Sequence, residues 1–196
     1  MFSDNQLRDL IAGKIIGDIF PYDTKDEKEI KEHIRRLYYR IKRIHHVECE
    51  AEWDHFGSGY ASFVEFFCYS KDEVKTIHES NGVREEEVKG IIIDISTLAS
   101  VAIMGEDVRY RNISTETNER VGWSCVTLLD GLNSLSVNEE YQSVGAQLKQ
   151  ALIEYEYEIL QAREMKRFLP FQAKIPTIYR NRGNYFVMDA IFYWED

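Results

Sequence analysis

Behind Ser3, apolar residues Leu7, Leu10, Ile11 and Ile15 recur at helical spacing, and Gln6 stands three residues beyond the serine. That is a capping-box arrangement, in which two orphan backbone amides find acceptors. Gly17 then offers a left-handed stop. A second helix is expected behind Thr24, with Glu27 three residues on and a single stripe of Ile30, Ile34, Leu37, Ile41 and Ile44. Joined through Phe20-Pro21, the two helices are expected to pack as a pair.

Near Ile44 the period changes from helical to two. Val47, Cys49, Ala51 and Trp53 alternate with Glu48, Glu50, Glu52 and Asp54, which predicts a strand with one apolar and one acidic face. Gly57-Ser58-Gly59 breaks it. Residues 60–69 are almost wholly apolar, with Glu65 as the only charge, and predict a strand buried on both faces that forms a hairpin with the acidic one. Ser70 and Glu73 suggest a short capped helix stopped at Asn81-Gly82. Stretches 88–95, 98–104, 107–113 and 121–129 read as strands, with a turn at Asp130-Gly131.

Ser136 and Glu139 open what reads as one long helix over 137–169, ended by Pro170, and a final strand spans 184–194. Strands follow strands without regularly alternating helices, so the expected class is α+β. The sheet is expected to be mainly antiparallel and covered by the N-terminal helical pair and the one long helix. No Pro/Gly/Ser-rich stretch divides the 196 residues, so residues 1–196 are expected to form a single domain.

Composition narrows the class further. Hydrophobic residues make up 44% of the chain and aromatics 13%, enough for a sizeable core, which excludes disorder. The first thirteen residues lack the basic start and apolar run of a signal peptide. No apolar run reaches the ~20 residues of a membrane helix. Three cysteines, Cys49, Cys68 and Cys125, lie in apolar strand-like runs without a CxxC spacing. Buried, reduced thiols in a cytoplasmic protein are therefore expected. A net charge of −10 makes direct binding to nucleic acid or an anionic membrane unfavourable and would attract a basic protein partner.

The acidic strand is the sharpest chemical feature. Glu48, Glu50, Glu52 and Asp54 should project from one face about 6.5–7 Å apart. Water, an internal pairing with Arg109 and Arg111, or a cationic partner would satisfy such a row. The partner reading gives a non-enzymatic interaction protein with the charge logic of an immunity protein, antitoxin or nucleic-acid mimic. A metal site is not expected, since His45 and His46 point to opposite faces and His55 adds no ligand spacing. The basic helix end at Arg35, Arg36, Arg40, Lys42 and Arg43 suits a helix C-terminus. The alternative function is a small-molecule enzyme or ligand-binding domain whose pocket gathers the acids of the apolar strands, Glu65, Asp94 and Asp189. Cys125, after Gly122-Trp123-Ser124, has no histidine base in its vicinity of sequence, and no phosphate loop or cofactor motif calls for a cofactor.

Overall fold

A computed structural model describes residues 2–57, 59–124, 135–137 and 141–195. The chain begins with helix α1 (Asp4–Ile11), whose N-terminus is closed by the expected Ser3/Gln6 capping box. Helix α2 (Glu27–Ile41) is capped two residues later than Thr24 suggests, because the Asp26 carboxylate accepts from the amides of Lys28 and Glu29. Strands β1 (Val47–Glu52), β2 (Tyr60–Ala61), β3 (Phe63–Ser70), β4 (Val74–Ser80), β5 (Val83–Ser96), β6 (Val101–Ser114) and β7 (Arg120–Ser124) follow. Helix α3 (Gln142–Glu154), strand β8 (Glu158–Ile159), the short helices α4 (Ala162–Met165) and α5 (Val187–Ile191), and strand β9 (Trp194–Glu195) complete the described elements. The α+β class with a mainly antiparallel sheet is as the patterning predicts.

The main sheet runs β1-β3-β5-β6-β7, with β4 also paired to β5 and β8 paired to β6, the last pair parallel. β5 is long enough to hold two neighbours in succession on one edge. Its first half pairs with β4 and its second half with β3. Gly90 sits at the changeover. A Cβ there would come within 2.7 Å of the Cys68 carbonyl oxygen and 2.8 Å of the Phe67 ring, so only glycine allows the approach.

Each face of the sheet is buried under different helices. On one face α2 and α3 press Ile34, Leu37, Ile41, Leu148 and Leu152 onto Cys49, Phe66, Cys68, Ile91 and Ile93. On the other, Leu7 and Leu10 of α1 join Met188 and Ile191 of α5 over Phe63, Ile92 and Ile103. The two N-terminal helices therefore do not form a pair; they lie on opposite faces. The connection between them crosses the sheet end, where Ile16 N–H donates to Leu98 O and the buried Tyr22 hydroxyl donates to Ser96 O at 2.6 Å. Ile15 packs against both apolar clusters.

The expected long helix is also corrected. It stops at Glu154, Glu156 turns back with φ 62°, and β8 runs beside the start of β6. Helical spacing continues through this region, but Glu158 N–H finds Ser100 O and Leu160 N–H finds Ala102 O. Tyr157 is buried against the Tyr22 hydroxyl. Sheet-edge hydrogen bonds and a buried tyrosine outweigh continuation of the helix. The predicted opening at Ser136/Glu139 falls partly outside the described residues, Asp130-Gly131 and Cys125 lie wholly outside them, and the helix itself starts at Gln142.

Two smaller expectations fail for local reasons. After Ser70 only a single 3₁₀ turn forms, and β4 follows in place of a helix. Asn81 and Gly82 have φ of 51° and 76°, the conformation of a two-residue hairpin turn joining Ser80 to Val83. The final predicted strand gives way to α5, because the Asp189 carboxylate accepts from Phe186 N–H at 2.7 Å and caps a helical turn.

Cys49 and Cys68 are cross-strand partners with free thiols, their sulfurs 3.3 Å apart. Among the described residues no helix is long and apolar enough to cross a membrane. Leu152 is completely buried between α3 and the sheet. Leu152→Ala should cost about 2–5 kcal/mol of stability in chemical denaturation; a loss under about half a kcal/mol would show that α3 does not pack as described.

Candidate functional site

Residues directly opposite one another on neighbouring strands project from the same face. The register makes Glu52 the partner of Glu65, and Glu65 the partner of Asp94. Three carboxylates on three adjacent strands thus form a row across the sheet, on the face opposite the Cys49/Cys68 pair. Arginines enter this face from β6, where Arg109 and Arg111 alternate with outward residues, and from Arg120 on β7.

These side chains surround a cleft of about 350 Å³. Glu50, Glu52, Glu65, Arg109, Arg111 and Arg120 supply its polar wall, and Ala51, Phe67 and Ile113 its apolar one. Arg109 donates from Nη2 to Glu65 Oε1 and from Nε to Asp107 Oδ2, and its guanidinium lies 4.1 Å over the Phe67 ring. Arg111 reaches Glu50 at 3.3 Å, Glu86 at 3.1 Å and the Tyr69 hydroxyl at 3.0 Å. Arg120 donates to the other oxygen of Glu50 at 3.0 Å.

Glu65 is 2% exposed and Asp94 is 0% exposed. Glu65 Oε2 and both oxygens of Asp94 meet no hydrogen-bond partner among the described residues. Burial pushes the Asp94 carboxyl well above the usual carboxylate range, and the charge of Glu65 adds to the rise, with Arg109 opposing it. Glu65 is raised for the same first reason, burial, although Arg109 pulls it back strongly by charge and hydrogen bond. Burial also raises Asp107. Asp94 is therefore suited to stay a neutral acid beside the Glu65 carboxylate that Arg109 pairs.

The sequence-predicted residues divide between two places. Glu65 and Asp94 do meet. Asp189 does not join them; it is buried near the chain end, where it caps α5 and pairs with Arg180 at 3.0 Å. In the acidic row, Glu48 pairs with Lys71 at 2.9 Å, and Glu50 is held by Arg111 and Arg120. Glu52 lines the cleft and accepts from Asp54 N–H at 2.8 Å, and Asp54 is exposed. Sequence reasoning weighed Arg109 and Arg111 as counter-ions for the row but missed their place in a cleft. The period-two spacing of Asp107, Arg109 and Arg111, matching that of Glu48, Glu50 and Glu52, was the available signal. Among the described residues no group of three or more His, Cys, Asp or Glu side chains is arranged to hold a metal ion.

No protein-family model matches the chain, and neither a curated protein nor a solved structure matches it.

An acid whose pKa is higher in the folded chain than in the unfolded one supports folding below its unfolded value and withdraws that support as pH rises through the folded value. Asp94 and Glu65 are such groups, so stability should decline as pH climbs from the ordinary carboxylate range. Asp94→Asn keeps the neutral form throughout and should gain on the wild type as pH rises. Denaturation curves that stay parallel from about pH 4 to about pH 9 would refute a buried acid at this position.

Glu50→Lys places a cation between two guanidiniums and should cost about 1–3 kcal/mol. Asp54→Lys should stay within about 0.5 kcal/mol. Equal effects in urea denaturation would show that Glu50 is not engaged.

Proposed function

We propose that this protein is a small-molecule-binding domain whose ligand occupies the cleft between β1, β3 and β6, with Glu65 as its principal polar contact. The observation that carries this reading is a carboxylate buried to 98% that lines the cleft and keeps one oxygen without a hydrogen-bond partner. Buried polar groups are normally satisfied, and an unsatisfied one beside a cavity of ligand size favours an occupant.

The acidic row as a docking face for a basic protein ranks second. It draws support from the net charge of −10 and from the place of β1 at the sheet edge. Pairing of Glu48 and Glu50 with the chain's own cations leaves less charge for a partner. A cytoplasmic location is part of the same proposal, supported by the free thiols of Cys49 and Cys68.

Screening a library of polar fragments against isotope-labelled protein tests the first reading. Hits should shift the amide resonances of Glu50, Phe67, Arg109 and Ile113 together. Hits that map only elsewhere, or a basic protein whose affinity falls with Glu48→Lys and Asp54→Lys and with added salt, would replace the cleft by the docking face.

A further inference from the structure

The charges around the cleft do not balance. Arg109 and Arg111 are each shared between two carboxylates, Glu65 with Asp107 and Glu50 with Glu86. Arg120 also serves Glu50, and Arg84 also serves Glu86. With Asp94 beside Glu65 and Glu52 at the cleft wall, six carboxylates face four guanidiniums. The residues outside the described set include no lysine or arginine, so none of their side chains adds a cation. Even with Asp94 carrying its proton, the carboxylates outnumber the guanidiniums by one.

The hydrogen-bonding groups point the same way. Each guanidinium already donates to carboxylates of this cluster, so an incoming anion would have to displace them and meet the surplus negative charge. Glu65 Oε2 is an acceptor in need of a donor, and it is 98% buried where the field of the charges is least screened. Arg111 Nε is the one buried donor nitrogen found without an acceptor among the described residues, and it suits a neutral oxygen on the same ligand. Phe67 and Ile113 offer an apolar wall for a short carbon chain or ring.

Resting on the cleft reading above, we infer that the ligand is a small organic cation, a primary ammonium or guanidinium group on a short apolar body, whose charged head donates to Glu65 Oε2. Glu65 and Arg109 then act as a fixed acceptor and its positioner, and the head group supplies the positive charge the cluster lacks. This chemistry differs from that of a phosphate or carboxylate site, which the same three arginines would suggest if their partners were ignored.

Four probes of equal chain length separate the cases: n-butylamine, n-butylguanidine, n-butanol and butyrate, each titrated into the full chain and followed at the cleft amides. The amine or the guanidine should bind more tightly than the alcohol, and butyrate should produce no saturable shift at the cleft. Glu65→Gln, which keeps an oxygen for Arg109, should weaken the cationic probe by at least about tenfold. Glu52→Gln, at the cleft wall, should weaken it less and guards against a folding defect in the first variant. Saturable binding of butyrate at these amides, or equal affinity for amine and alcohol, would overturn the cation and leave the cleft standing as a binding site. Shifts from none of the four would overturn the inference, and together with an empty fragment screen would overturn the cleft as well.

Discussion

β3 and β5 lie antiparallel in the interior of the sheet, and helices cover both faces of the ladder they form. Such a pair leaves water little access to any polar side chain it carries. Phe66, Ile91 and Ile93 fill one side, Phe63, Phe67 and Ile92 the other. Into this ladder the register sets Glu65 directly against Asp94. Two carboxylates so placed cannot both ionise cheaply, and the arrangement of charge around them follows from that constraint.

Arg109 relieves part of it. It crosses from β6 to Glu65, stacks on Phe67, and brings Asp107 into the same network. Arg111, two residues on, repeats the pattern over Tyr69 with Glu50 and Glu86. The alternation of a strand thus converts a sequence of charges into parallel bands across three strands, and the cleft lies where the bands meet Phe67 and Ile113. The helices pack on either side through their apolar surface, with α2 and α3 on the cysteine face and α1 and α5 on the other.

The elements with a strong period were legible before the structure. The stripe Ile30, Ile34, Leu37, Ile41 predicts α2, and all four residues are fully buried. The alternation in β1 and the unbroken apolar run of β3 predict a hairpin, which forms in register from Val47↔Ser70 to Glu52↔Glu65. Where the sequence misled, two local signals competed. Asn81-Gly82 serves equally as a helix stop and a hairpin turn, and the β-branched Val74, Thr76 and Ile77 tip the region to strand. The residues after Glu154 keep a helical period, but a free edge on β6 accepts them as a strand.

The sequence by itself determined the class of the fold and the two faces of β1, because those depend on local periodicity and on the number of apolar residues. It also placed Glu65 and Asp94 among hydrophobic neighbours. What only the tertiary structure decided is which charges meet. Glu50 and Arg120 are seventy residues apart in the chain and 3.0 Å apart in space. The register of β3 against β5 brings Asp94 to Glu65, while Asp189 ends as the cap of α5. Strand pairing is set by backbone hydrogen bonds and by burial summed over the whole sheet, quantities to which no single stretch of sequence contributes enough to be read in isolation.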